Sequence, residues 1–542
     1  MPRILARADL KDRLYVRCPP WCTVHLMTRL DYPGGPLHDV MRATAARFPD
    51  RPAITFREQS ITFAEFDRES NRMANGLAAL GLASGDRMAL YLPNCPQYEL
   101  AFYAASKLGA ISCPMNPSYR EREVTYQVND SGASVMVTHA SLWPVIDACR
   151  AQLPTLTRVV VVGGDVDGGA LAVAWDEVVE SSPAGAPAVR VEQSQLAALP
   201  YSSGTTGMPK GVMLTHRILA CNQLQYREAS GIGPADAYPI FLPLSHIYGV
   251  MLMNAALGAG AHQILMERFD LDALLQVIQE HQVTVLHLVP PVLLALANAP
   301  RLDASQFRTV RYALSAAAPL APDVARRVQD RLGLRVIQAY GLTETGPASH
   351  HSPLDPGRVR LDSVGVIMAD TEHRVVDLDT GLQVLGPGET GEITIRGPQV
   401  MQGYWNAPEE TARALRDGWL YTGDIGSIDA DGHTYLVDRK KEMIKCRAFS
   451  IAPAELEAAL LEHPDIADCG VVGVPDAEAG EVPNAFVVPR KGCTLGEAAL
   501  TDYFSRRLAG YKMIRKWHVT DAIPRTPSGK ILRRMLKERL TT

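Results

Sequence analysis

From Leu37 onward the apolar positions alternate between helical spacing and short continuous runs. In GPLHDVMRATAARF (35–48) they recur every three or four residues, the period of a helix with one buried face. SITFAEFDRESNRMANGLAALG (60–81) predicts a short strand, then a helix carrying Phe66, Met73, Leu77 and Leu80. Asp86–Leu92 and Val159–Val162 are apolar runs bounded by turn residues, as expected of strands covered on both faces. Strand and helix patterns alternating in this way predict α/β layers around largely parallel sheet. From about Val364 to Tyr435 the texture changes: HRVVDLD, GEITIRG and HTYLVD are separated by turns such as DLDTG and DADG. That pattern predicts a small antiparallel or β-barrel-like subdomain, placed at about 348–438. Beyond the charged RKKE, a helix opens at Pro453, a favoured first helical position. A further helix is expected behind the capping pair Thr494 and Glu497. The domains expected are an N-terminal tail (1–36), a large multi-layer α/β domain (37–438) and a small α+β domain (439–542).

A chain of 542 residues exceeds one ordinary domain, in line with that division. The net charge of −5 gives no electrostatic footprint for nucleic acid or an anionic membrane, and the basic KILRRMLKERL (530–540) reads as a solvated helix face. Nine scattered cysteines, an odd number, predict reduced thiols and a cytoplasmic setting. Cys18 and Cys22 have no further Cys or His nearby and make a poor zinc site. The longest apolar run, Val283–Ala297, is interrupted by Thr284, His287, Pro290 and Pro291, so it predicts a buried strand, a turn and a helix start rather than a membrane span. Residues 1–26 lack the continuous apolar core of a signal peptide. They have the pattern of a disordered tail, or of an extension ahead of Met27.

The chemistry concentrates in LPYSSGTTGMPKGVMLTH (199–216). Gly204, Gly207 and Gly211 surround Ser202, Ser203, Thr205, Thr206 and Lys210. Glycines let the backbone approach an oxyanion, and hydroxyls, amides and one cation supply donors. Lys210 follows Pro209 and precedes Gly211, which excludes a Walker loop.

This string resembles the phosphate loop of the adenylate-forming (ANL) superfamily, which comprises acyl-CoA synthetases, peptide-synthetase adenylation domains and luciferases. The resemblance continues in order over about residues 37–535. FLPLSHIYG (241–249) is similar to the segment supplying an acyl-pocket aromatic and a gating histidine, here Tyr248 and His246; taken alone, His246 reads rather as a core histidine. QAYGLTETGP (338–347) resembles the motif whose tyrosine packs on adenine and whose glutamate holds Mg²⁺, here Tyr340 and Glu344, with Gly341, Thr343 and, further back, Ala317 beside the nucleotide. GWLYTGDIG (418–426) and YLVDRKKE (435–442) resemble the ribose-binding segments, here Asp424 and Arg439. RTPSGKILRR (525–534) resembles the motif of the catalytic lysine, here Lys530. The resemblance further implies an acyl pocket lined by Tyr248, Leu252, Ala316, Ala339 and Gly346. It implies a hinge at Lys441, about which a mobile C-terminal domain rotates, and a CoA tunnel at Lys445, Arg447, Ala448 and Phe449.

The activity implied is ATP-dependent carboxylate–CoA ligation of a fatty or aryl acid, with ATP, Mg²⁺ and coenzyme A. Acyl-adenylate transfer to a carrier protein or another acceptor stays open, and a non-enzymatic nucleotide-binding protein is the remaining reading. Homodimers occur among proteins of this kind. Three positions that are commonly glycine in such enzymes are alanine here: Ala316, Ala339 and Ala448. Either all three are tolerated packing variation, or the first two narrow the acyl pocket and the third crowds the tunnel.

Overall fold

The computed structural model describes residues 29–540 apart from 203–208, 441, 447–448, 477–478, 506–507, 509–511 and 527–528. Its centre is a seven-stranded, mostly parallel sheet in the order Leu214–Thr215, Leu196–Ala198, Ile111–Pro114, Arg87–Tyr91, Val135–His139, Arg158–Val162, Ala172–Ala174. A four-stranded sheet includes Pro52–Phe56 and His262–Leu265, paired in parallel. A five-stranded sheet runs Val285–Leu288, Tyr312–Ser315, Val336–Gly341, Ala348–His351, Val366–Ile367, parallel across its first three strands and antiparallel afterwards. Helices Pro96–Leu108 and Ile247–Ala259 are buried along nearly their whole circumference, as their continuous apolar sequences require. The run 283–297 resolves into the strand Val285–Leu288 and the helix Pro290–Asn298.

The structure departs from the sequence reading at four points. Residues 348–367 do not open the antiparallel subdomain, because they extend the third sheet. The subdomain itself is an open sheet of Glu372–Val376, Gly391–Arg396, Trp419–Ile428, Leu415–Arg416 and Thr434–Arg439, not a closed barrel, since turn signals mark strands but not closure. The end of the expected tail is tied to the body: Leu30 N–H and the Tyr32 hydroxyl both donate to Asp370, at 2.9 and 3.0 Å. The helix behind Thr494 starts at Glu497, where Leu500 N–H bonds the Gly496 carbonyl, so Thr494 lies too far back to cap it.

From Ile444 onward a second unit has its own core of Leu456, Leu460, Val471, Val487, Phe504 and Trp517. It is built on the long hairpin Ile466–Asp476 and Gly480–Pro489 with the helix Pro453–Leu461. This unit docks on the start and end of the helix Pro290–Asn298. Arg490 donates to Asn298 Oδ1 at 2.6 Å, and Arg327 donates to the same oxygen at 2.9 Å. Gly529 (φ +84°) lies so close to Pro291 that a Cβ there would stand 2.9 Å from the proline ring.

One buried acid marks the large unit. Glu99 is fully buried; one carboxyl oxygen accepts from Gln263 at 3.2 Å and the other has no partner among the described residues. Burial pushes its pKa up to about 8 from an ordinary value of 4.5. The folded protein therefore keeps a proton that the unfolded chain has released across that window, so stability falls as pH rises through it. Glu99→Gln is expected to remove this dependence. In denaturant titrations, the stability of the variant relative to wild type should rise by up to about 1.4 kcal/mol per pH unit between pH 4.5 and 8. A constant difference would contradict the assignment.

Candidate active site

A cleft of about 530 Å³ opens beyond the C-terminal ends of the parallel strands Tyr312–Ser315 and Val336–Gly341, the place where open α/β sheets bind ligands. Each of its polar groups is held by a different element. Tyr340, at the end of its strand, donates its hydroxyl to Asp424 Oδ2 at 2.6 Å. Arg439 meets the other oxygen of Asp424 at 3.1 Å from the neighbouring antiparallel strand. Burial, with Asp424 adding to it, raises the Tyr340 hydroxyl well above its ordinary pKa, so it stays a donor. Gly341 follows because the chain turns tightly: a Cβ there would lie 1.9 Å from the Pro347 carbonyl oxygen.

Glu344 sits in the short turn Thr343–Thr345 and accepts the Tyr404 hydroxyl at 2.9 Å. Its second carboxylate oxygen makes no hydrogen bond among the described residues. The strand pair Tyr201–Ser202 and Lys210–Gly211 frames the phosphate-loop segment. Tyr201 anchors it by a 2.6 Å bond to Asp130, Tyr126 by a 2.7 Å bond to the Pro209 carbonyl. Lys210 lines the cleft, pairs with Glu410 at 3.3 Å and lies 5.7 Å from the Tyr404 ring centre.

Lys530 comes from the second unit. Its backbone is pinned to Thr526 in both directions. The flanking arginines are anchored too, Arg525 on Asp468 at 2.7 Å and Arg533 on Glu442 and Glu457 at 2.7 and 2.8 Å. Among the described residues its ammonium forms no ion pair. Burial in the cleft lowers its pKa, Arg439 adds to the effect, and Glu442 and Asp424 oppose it.

The structure brings Ser202, Lys210, His246, Tyr248, Ala316, Ala317, Ala339, Tyr340, Gly341, Thr343, Glu344, Arg439 and Lys530 onto one cleft wall. His246 Nδ1 accepts from the Tyr248 N–H at 3.2 Å, capping the helix that follows, and burial lowers its pKa to about 4; it is neutral at physiological pH. Asp424 reaches the cleft through Tyr340 and Arg439. Leu252 is a correction: it is fully buried and does not line the cleft, whereas Met251 does, because adjacent helix positions point about 100° apart. Gly346 is another: it ends the turn carrying Glu344 and packs on Ile218. Lys445 is exposed, its N–H bonded to Glu481 at 2.9 Å, and does not line the cleft either. The expected loop residues Ser203, Gly204, Thr205, Thr206 and Gly207, the hinge Lys441, and Arg447 and Ala448 lie outside the described residues. So does the side chain of Phe449. Tyr404, Tyr226 and Met251 also line the cleft; the sequence reading passed over them, since no local motif marks them.

A family model described as AMP-binding enzyme matches residues 41–405, and one described as AMP-binding enzyme C-terminal domain matches 455–530. The chain belongs to the AMP-binding enzyme family. Its relatives include 4-coumarate–CoA ligase 1 of Solanum tuberosum, 38% identical over 520 residues that cover 93% of this chain and 94% of the relative. ATP-bound MatB from Rhodopseudomonas palustris superposes with a TM-score of 0.85 at 31% identity, covering 92% of this chain and 98% of that one. The o-succinylbenzoate CoA synthetase MenE from Bacillus subtilis, in complex with its acyl-adenylate intermediate, superposes with a TM-score of 0.79 at 30% identity, covering 94% and 99%.

Ala317 is held at φ +72° on the cleft wall, a left-handed conformation that crowds a Cβ. Ala317→Gly is therefore expected to stabilise the ligand-free protein by about 0.5–1 kcal/mol in denaturant unfolding. A destabilised variant would mean that the methyl packs favourably enough to outweigh its strain.

Proposed function

We infer that this protein is an ATP-dependent carboxylate–CoA ligase that works through an acyl-adenylate. One observation carries the reading: the second unit delivers Lys530, desolvated and without an ion-pair partner among the described residues, into the cleft already furnished with Arg439, Asp424, Tyr340 and Glu344. A carboxylate is a poor electrophile, so its oxygen must first be joined to a good leaving group. Attack of that oxygen on the α-phosphorus of ATP forms the acyl–phosphate bond, breaks the α–β phosphoanhydride bond and releases pyrophosphate. Negative charge accumulates between carboxylate and α-phosphate, where a fixed cation in a water-poor cleft stabilises it most. Lys530 is a compact point charge suited to bridge the two. Tyr340 offers its ring to the adenine, and the Asp424–Arg439 pair offers an acceptor and donors to the ribose hydroxyls.

Glu344 fits the Mg²⁺ role. One of its carboxylate oxygens is fixed by Tyr404 and the other is available to a hard cation, which prefers one or two carboxylates plus phosphate oxygens. Bound there, Mg²⁺ would offset the charge of the β- and γ-phosphates.

In the second half-reaction the CoA sulfur attacks the acyl carbon, the acyl–phosphate bond breaks, AMP leaves and the thiol proton passes to solvent. The docked arrangement places Lys530 on the cleft wall and leaves Lys445 exposed, off the cleft lining. Thiol entry then requires the second unit to turn about Lys441 and present the Lys445–Ser450 face. The acid is sought among aryl acids, the class named in the coumarate ligases.

Incubation with ATP, CoA and a panel of aryl and fatty acids is expected to yield AMP and pyrophosphate, with AMP release dependent on CoA. Formation of ADP and phosphate would contradict an adenylate, and CoA-independent AMP release would point to another acceptor. Lys530→Ala is expected to slow acyl-adenylate formation about 10²–10³-fold while affecting thioester formation from supplied acyl-AMP far less. Equal losses in both steps, measured in single turnovers, would count against a lysine that serves the first step alone.

A further inference from the structure

Residues 401–410 tie together the two parts of the cleft read above as phosphate-binding and metal-binding. Their first half runs antiparallel beside residues 211–213. Gln402 N–H donates to the Met213 carbonyl at 3.1 Å, Met213 N–H to Gly403 at 3.0 Å, and Trp405 N–H to Gly211 at 2.8 Å. On its other side the segment holds the turn of Glu344: Met401 N–H donates to the Glu344 carbonyl at 2.9 Å, and the Tyr404 hydroxyl to its carboxylate, also at 2.9 Å. The indole N–H of Trp405 donates to the carbonyl of Asp130 at 3.1 Å, and the carboxylate of Asp130 is the anchor of Tyr201.

The helix Pro408–Ala414 follows at once and is fastened at its first turn, where Thr411 Oγ1 accepts the Tyr404 N–H at 2.8 Å and donates to the Ala407 carbonyl at 2.9 Å. Its first turn carries two acids. Glu409 pairs along the helix with Arg413 at 3.3 Å, both side chains exposed. Glu410 reaches away from the helix instead and meets the Lys210 ammonium at 3.3 Å. Its own backbone N–H, and then Lys210, hold its carboxyl below the ordinary carboxylate range, so it is charged at physiological pH. Lys210 lines the cleft and Glu410 does not. The pair is only partly shielded, with 24% of the lysine side chain and 35% of the glutamate exposed. The ring of Tyr404 stands 5.7 Å from the ammonium, within the reach of a cation–π contact.

The cations of the cleft wall thus differ in their partners. Lys530 forms no ion pair among the described residues, and Arg439 pairs with Asp424, which belongs to the nucleotide site itself. Lys210 pairs with an acid from outside the cleft lining. A carboxylate beside a site for a polyanion repels that polyanion, and no step of adenylate formation uses one at this point. A half-exposed ion pair is worth little, and a lysine is a point charge on a flexible stem. Phosphate oxygens can therefore draw the ammonium away from Glu410 at small cost. We propose that Glu410 is the resting counter-ion of Lys210: it holds the ammonium before nucleotide binds, yields it to the phosphates of ATP, and takes it back as pyrophosphate leaves. Glu410 touches no substrate on this account. It is a positioning residue that acts through Lys210 and keeps the affinity for both ATP and pyrophosphate below what the bare lysine would give. The proposal rests on the reading of this cleft as an ATP-dependent ligase site.

The test is equilibrium binding of ATP, pyrophosphate and adenosine to the full chain by calorimetry, with no acid present so that adenylation cannot proceed. Glu410→Gln is expected to tighten ATP and pyrophosphate about two- to fivefold, the span of a partly exposed ion pair, and to leave adenosine, which carries no phosphate, unchanged. In a Lys210→Ala background the same substitution is expected to bring the gain towards unity. Glu409→Gln, on the same turn but directed at Arg413, is expected to change none of the three. Unchanged or weaker ATP binding in Glu410→Gln would overturn the proposal. So would equal tightening with Lys210 removed, which would assign the effect to bare charge repulsion rather than to a shared ammonium. A purely structural role of Glu410 in its helix would weaken ATP and adenosine alike, and that result would overturn it too. Folded wild-type protein that binds neither ATP nor pyrophosphate would overturn the ligase reading itself and this inference with it, whereas normal wild-type binding that Glu410→Gln leaves unmoved overturns this inference alone.

Discussion

The arrangement depends on one costly placement, the burial of the Lys530 ammonium in a cleft where no carboxylate of the described residues pairs with it. Taking a cation out of water costs several kcal/mol or lowers its pKa, and the lowered pKa of Lys530 is the sign of that cost. Two contacts outside the cleft impose the placement. Gly529 lies against Pro291 and Val289, and Asn298 accepts hydrogen bonds from Arg327 of the large unit and Arg490 of the small one. A site that holds an unpaired cation at a fixed point is prepared for negative charge that arrives with the substrate and grows in the transition state.

The rest of the cleft is arranged around that point. Tyr340, Asp424 and Arg439 come from two sheets and fix one another through both oxygens of a single carboxylate. Glu344 is steadied by Tyr404, which also lies beside Lys210. The nucleotide end is thus charged and cross-braced. The cleft wall also carries Tyr226, Tyr248, Met251, Leu314, Ala316 and Ala339. These two groups of residues let one cleft hold a triphosphate and select an acid.

Much of this was legible in the sequence because the nucleotide chemistry is written in local strings. SSGTTGMPKG, YGLTE, TGD and the lysine of PSGK each place their groups within a few residues, and among the described residues the cleft collects Ser202, Lys210, Tyr340, Gly341, Thr343, Glu344, Thr422 and Lys530 from them. Other features depend on contacts between distant segments and were not legible. His287 registered only as an interruption of an apolar run, because its neighbours Tyr226, Tyr238 and His351 lie far away in sequence. The resemblance points to Leu252 where Met251 lines the cleft, since a motif locates a helix but not the face its residues present. The turn spacing of the 372–439 segment marks antiparallel strands, which the structure contains, but carries no information on whether the sheet closes into a barrel. Tyr404 sits in GYWN, a string with no chemical signature until the fold brings it to Glu344.

The central claim is that the docked small unit is the adenylating state and that the same unit must leave before CoA can react. Locking the units tests it directly. Cysteines at Asn298 and Arg490, joined by a short bismaleimide in a background lacking other accessible thiols, would hold the docked arrangement, and both half-reactions can then be timed in single turnovers. The account predicts that the locked enzyme still forms acyl-AMP and releases pyrophosphate, while transfer to CoA is lost and returns in the unlinked double variant. Thioester formation at the unlinked rate in the locked enzyme would contradict it.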